Sequence, residues 1–191
     1  MEIDSSNTTN SSGTTGPVLM SNRCHAKASC NKLGLAEGLT PVYAANGMNF
    51  CALTYASISA TSNVDWEAAT AILTSGGYRL PTEMEWMWAA MGAHDDGQGG
   101  GTDTTGYAKA FAASTGSNAI GDNEWYCTNR SNKANPAGTE ADNELGFYDI
   151  NGNVCEWCWD WYGSYPTGTQ TDCRGGRFGH DPRQSRWQLE Q

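Results

Sequence analysis

From Asn143 to Tyr162 the chain reads NELGFYDINGNVCEWCWDWY, which gathers two of the seven cysteines and four carboxylates. Cys155 and Cys158 form a C-x-x-C, a spacing that serves thiol–disulfide exchange and zinc sites. In a redox site that motif opens a helix after a strand. Here it lies in an alternating aromatic run. Read as a strand, Cys155, Trp157, Trp159 and Trp161 face one way, and Val154, Glu156, Cys158 and Asp160 face the other. The two thiols then diverge. A second C-x-x-C, needed for a four-thiolate zinc site, is missing. Cysteines 24, 30, 51, 127, 155, 158 and 173 make an odd set, so no more than three intrachain bridges can form. They read as inert thiols, and the redox compartment stays open.

Other polar clusters carry less. The loop HDDGQGGGTD holds Asp95, Asp96 and Asp103 without the spacing of a hand-type calcium loop, and reads as a solvated surface segment. His25, His94 and His180 are scattered with no ligand or triad spacing around them.

Composition narrows the function classes. The 191 residues suit one domain, and 11 basic against 21 acidic residues give a net charge of −10. Binding to a phosphate backbone needs a basic footprint, so DNA and RNA are not expected partners. No apolar run is long enough to span a bilayer. The start, MEIDSSNTTNSSGTTG, has neither the basic nor the apolar region of a signal peptide. An extracytoplasmic location would need a targeting segment outside this sequence. Tryptophan, tyrosine and 23 glycines suit a loop-rich domain built on large rings.

The elements that must position the Asn143–Tyr162 ribbon can be read in order. Residues 1–17 are a low-complexity lead-in, expected to be flexible, with two cheap glycosylation sequons at Asn7 and Asn10. A short helix is expected from about Met20 to Leu33, ending near Gly34, followed by a turn and an extended piece at 38–43. Residues 50–60 could form a strand. Asp65–Ser75 reads as a helix capped by Asp65, with Trp66, Ala69 and Leu73 as its buried stripe and Gly76-Gly77 as its stop. A third helix follows Pro81. There Thr82 and Glu85 form a capping box, and Trp86, Ala89, Ala90 and Ala93 recur at helical spacing. Irregular chain follows to about Asn123, and Asn151-Gly152 marks a tight turn.

These motifs resemble a known family. GYRLPTEMEW at 77–86, the ribbon itself and Arg174-Gly175-Gly176 closely resemble the formylglycine-generating enzyme (sulfatase-modifying factor) family, and CNKLGLAEGLTPVY at 30–43 looks like its bacterial members. The resemblance covers roughly residues 20–176. It implies an α+β, C-type-lectin-like fold with two main helices around a small sheet and much irregular loop. The expected division is lead-in 1–17, family domain 18–176 and atypical tail 177–191.

Three departures bear on activity. Only the lead-in precedes the first helix, where the family has strands and a glycine-rich segment. Cys155 replaces a tryptophan. The family's continuation after Arg-Gly-Gly is replaced by Arg177-Phe178 and an unrelated tail, as a domain truncated at both ends or frame-shifted near Cys173 would be. Family members that make formylglycine resemble copper-thiolate oxidases whose cysteine pair follows that region. No cysteine follows Cys173, so no catalytic residue is carried over and copper is not expected.

Calcium is the better-matched metal. The family's calcium stretch corresponds to Asp149, Gly152, Val154 and Glu156, the middle two through backbone carbonyls, and hard oxygen donors of this kind suit that ion. The competing reading makes Asp149 and Glu156 turn caps or partners of a base such as Arg79. The resemblance thus implies a non-catalytic, lectin-like ligand-binding scaffold, akin to displayed variable proteins. A protein or small-molecule ligand and the oligomeric state are left open. The alternatives are an oxidoreductase of the formylglycine-generating type and an inactive fragment.

Overall fold

The computed structural model describes residues 15–19, 21–49, 52–54, 57–58, 65, 68–90, 124–126, 129, 131, 133–143 and 145–160. The expectations for the acidic loop after His94, for Trp66, Ala93 and Trp161, and for the tail lie outside them. In chain order the elements are helix α1 (Arg23–Ala36), strand β1 (Tyr43–Ala44), strand β2 (Thr70–Ala71), a 3-10 turn (Leu73–Ser75) and helix α2 (Glu83–Ala90). Among the described residues the architecture is α+β: helices α1 and α2 with a two-stranded antiparallel sheet. Among the described residues no helix is long and apolar enough to cross a membrane.

Helix α1 starts where a polar cap can close it. Asn22 Oδ1 accepts the His25 N–H at 2.9 Å, and the Asn22 N–H donates back to His25 Nδ1 at 3.2 Å. His25 is thus absorbed by the fold. The helix runs through Gly34, beyond the expected stop. What ends it is Gly38, whose left-handed backbone (φ 76°) lets Leu39 donate back to the Gly34 carbonyl at 2.8 Å.

The next two expectations are corrected by tertiary pairing. Described residues of the 50–60 segment form turns, with the Ala52 N–H on the Asn49 carbonyl and the Ser57 N–H on the Thr54 carbonyl, while Ile58 enters the core. Asp65 is helical, but the helix does not run on to Ser75. By Thr70 the chain has turned into β2, pairing Ala71 with Tyr43 and Thr70 with Ala44, and the Ile72 N–H reaches the Val42 carbonyl at 2.8 Å. Ladder bonds to β1 outweigh the helix preference of an alanine-rich run. Ala69 is buried as expected; Leu73 is exposed. Gly77 then passes so close to β1's approach that a Cβ there would overlap the Thr40 carbonyl oxygen.

The core joins Cys24 and Ala28 of α1 with Val42, Tyr43, Ile58 and Leu80, and Trp157 and Trp159 pack against it. Tyr43 is the centre. Asn31, fully buried, donates from Nδ2 to the Tyr43 carbonyl at 2.7 Å and accepts the Tyr43 N–H on Oδ1 at 2.9 Å. One amide therefore satisfies both backbone groups of a buried residue. The Tyr43 hydroxyl accepts the Leu80 N–H at 2.8 Å, and its ring lies 5.0 Å from that of Trp159.

Helix α2 has the expected cap: Thr82 Oγ1 accepts the Glu85 N–H at 3.3 Å, and Glu85 Oε2 accepts the Thr82 N–H at 2.8 Å. Arg79 grips the same Glu85 carboxylate through both terminal nitrogens at 2.6 Å. That grip, with the cap bonds, holds Glu85 down to about 2. Arg79 is thereby engaged on α2.

Two substitutions test this frame. Asn31→Ala strands a buried donor and acceptor, and urea unfolding is expected to show a loss of about 2–4 kcal/mol. Gly77→Ala forces the chain away from Thr40, and its melting temperature is expected to fall well below that of an Ala substitution at the open, exposed Leu73.

Candidate cation-binding turn

The ribbon does not run as the expected alternating strand. Cys155 and Glu156 are exposed, Cys158 and Asp160 are buried, and Trp157 and Trp159 are half-buried against the core. The cause is local. Residues 149–154 form a turn stitched to neighbouring loops, so the chain reaches Trp157 already rotated. Asp149 and Asn153 sit in the left-handed region (φ 53° and 54°), which short polar side chains tolerate. Asn153 exchanges hydrogen bonds with the Asn135 backbone at 2.9 and 3.2 Å, and its N–H donates to the Trp125 carbonyl at 2.9 Å. Gly152 lies against Trp125 in a parallel bridge, where a Cβ would overlap the Trp125 carbonyl oxygen. Only glycine fits there.

This packing brings two of the expected ligand side chains into one electrostatic neighbourhood. Asp149 Oδ2 accepts the Gly138 N–H at 2.6 Å, while Asp149 Oδ1 is buried with no hydrogen-bond partner. Glu156, seven residues on, accepts the Trp86 indole N–H from α2. Desolvation of its carboxyl raises the Glu156 pKa; the indole bond opposes the rise, and the Asp149 charge adds to it. Two carboxylates that repel each other, one with an orphaned buried oxygen, fit a hard cation. Gly152 and Val154 lie between them in the turn, where their carbonyls belong to the expected donor set. Among the described residues no three His, Cys, Asp or Glu side chains form a metal cluster, so the donors available are two carboxylates and backbone.

Among the described residues Cys24, Cys30, Cys155 and Cys158 form no disulfide. Burial pushes Cys30 up to about 11, and burial together with Asp160, Glu83 and Glu156 pushes Cys158 up to about 12. Neither is a thiolate at neutral pH. Cys155 is exposed and Cys158 buried.

Two organising residues escaped the sequence reading. Asn143 is buried; its Nδ2 donates to the Ala89 and Ala90 carbonyls at the end of α2, and its Oδ1 accepts the Leu145 and Phe147 N–H groups. It fixes the turn that leads into Asp149. Asp160 receives the Glu83 N–H at 2.8 Å and so seats the start of α2. The contacts that tie each of them to α2 reach across 53 to 77 residues, which no local pattern signals. At the other end of the chain, the Ala137 N–H donates to the Thr15 carbonyl at 2.9 Å, anchoring the end of the lead-in.

Comparisons with known proteins follow the same lines. Residues 5–191 match the family described as Sulfatase-modifying factor enzyme 1-like domain. Chaperone protein LppX of Paenibacillus barcinonensis is 32% identical over 143 residues, covering 72% of this chain and 49% of the relative. The formylglycine-generating enzyme of Thermomonospora curvata is 32% identical over 127 residues, covering 61% of this chain and 40% of the enzyme. Among solved structures, Treponema denticola variable protein 1 superposes with a TM-score of 0.69 at 34% identity, over 83% of this chain and 54% of that one. CarF superposes with a TM-score of 0.59 at 25% identity, over 80% and 53%. The chain thus spans about half the length, or less, of the relatives it matches. With the match running over nearly every residue, this chain belongs to the formylglycine-generating enzyme (sulfatase-modifying factor) family.

Proposed function

We propose that this chain is a non-catalytic, ligand-binding member of its family, a C-type-lectin-like scaffold whose ribbon turn is stiffened by calcium at Asp149, Gly152, Val154 and Glu156. The buried, unpartnered Asp149 Oδ1 carries the metal part of this reading. Asp149 Oδ1 is an acceptor out of water, and the Asp149 charge acts on the Glu156 carboxyl, a combination that a cation would relieve. Calcium would supply charge neutralisation only. Asp149 and Glu156 would hold it through carboxylates, and Gly152 and Val154 through carbonyls.

The high thiol pKa values of Cys30 and Cys158 support a non-catalytic role for these two thiols. Likeness to a variable protein supports ligand binding as the use of the scaffold. The ligand class, protein or small molecule, is open to array binding at defined calcium.

Calcium at 100 times its dissociation constant should stabilise the fold by about 2.7 kcal/mol. Asp149→Asn tolerates the left-handed backbone and removes one charge; Glu156→Gln removes the other. Each is expected to keep the fold and lose most of the calcium-dependent rise in melting temperature. Because the Glu156 pKa is raised, protons compete with the ion, and calcium affinity should fall as pH drops. A melting curve indifferent to calcium at every pH refutes the site.

A further inference from the structure

A second pair of carboxyl groups stands at the joint between α2 and the ribbon, apart from the cation turn. Glu83 is only 2% exposed, and its Oε1 has no hydrogen-bond partner. Its backbone N–H donates to Asp160 Oδ1 at 2.8 Å, while the Trp159 N–H donates to the Pro81 carbonyl at 2.7 Å. Two bonds of opposite direction therefore clamp the first turn of α2 to the end of the ribbon. Asp160 answers an N–H that a helix start leaves unmet. It also brings one carboxylate up to another in a site with little water.

Among the described residues no cation at the joint counters the effect of Asp160 on Glu83. Cys158 feels the charges of both Glu83 and Asp160, with Arg23 opposing, and stays a neutral thiol. On the α1 side the Arg23 guanidinium and the Lys27 ammonium lie over the Trp159 ring, 5.2 and 5.5 Å from its centre. From β1 comes the Tyr43 hydroxyl, which burial pushes up to about 12 and which is engaged at Leu80. Glu83 is left with a buried oxygen that a proton would let it keep neutral.

We infer that Glu83 and Asp160 form a proton-operated latch between α2 and the ribbon. A proton on Glu83 closes the joint, and ionisation of Glu83 beside Asp160 loosens it. The same two elements bring Trp86 to Glu156, so the latch ties protonation to the rigidity of the ribbon turn. It stands whether or not that turn takes a cation.

Burial, and then the Asp160 charge, lifts Glu83 from 4.5 to about 7. Between those values the folded chain holds a proton that the unfolded chain releases. The latch's contribution is therefore complete below 4.5 and lost as pH rises through 7.

Urea unfolding of the full chain from pH 5 to pH 8 reads this directly when wild type is compared with Glu83→Gln. The wild-type unfolding constant should rise on the order of 10- to 100-fold more across that range than the variant's. Asp160→Asn should move the Glu83 titration to lower pH, followed by carboxyl-carbon NMR, which needs no Glu83 variant to fold. Faster hydrogen exchange at the Glu83 and Trp159 amides at pH 8, after correction for intrinsic rate, places the loosening at the joint. Equal pH slopes for wild type and Glu83→Gln, or a Glu83 carboxyl titrating at its ordinary value, overturn the latch.

Discussion

The buried backbone of Tyr43 is the constraint from which the rest of the structure follows. A strand of two residues cannot satisfy its own donors and acceptors, and a buried peptide group left unmet costs about as much as several surface contacts contribute. Asn31 answers both Tyr43 groups from α1, β2 supports the strand from the side, and the hydroxyl collects Leu80 on the way into α2. Tyr43 thereby ties four segments together before any long hydrophobic face is needed. That explains how the described residues form a defined core around so short a strand.

From this knot the ribbon inherits its pose. Trp159 lies beside the Tyr43 ring, with Arg23 and Lys27 over it, and its N–H is bound to Pro81. Cations over an indole face contribute attraction of their own and shield the ring from water with aliphatic stems. With Trp159 seated, Asp160 falls under α2 and Glu156 meets Trp86. Core packing and the acidic turn are thus consequences of one arrangement: the rings hold the ribbon, and the turn between Asp149 and Glu156 is what the held ribbon displays.

What could be read from the sequence divides along physical lines. The capping box of α2 was legible because Thr82 and Glu85 act within one turn, and the family was legible because two long motifs occur in order. Asp149 and Glu156 were named through that resemblance, and the Asp149 charge is felt at the Glu156 carboxyl. The errors arose where distant partners decide. Asp65–Ser75 has a helical composition, yet β1 draws Thr70 and Ala71 into a strand. The ribbon alternates in sequence, yet anchoring by Asn153 and Gly152 breaks the alternation in space. Asn143, Glu83 and Asp160 look like ordinary polar residues until the chain is folded around them.

The central claim is that the ribbon turn binds a hard cation without doing chemistry on it. Trp86 donates to Glu156, so a lanthanide seated between Asp149 and Glu156 would lie close to an indole antenna. Terbium luminescence excited through tryptophan, titrated on the full chain, is the most direct measurement. The account predicts sensitised emission that calcium displaces, and that Glu156→Gln largely abolishes while the fold is retained. Emission that never appears, or that persists unchanged in Glu156→Gln, would contradict it.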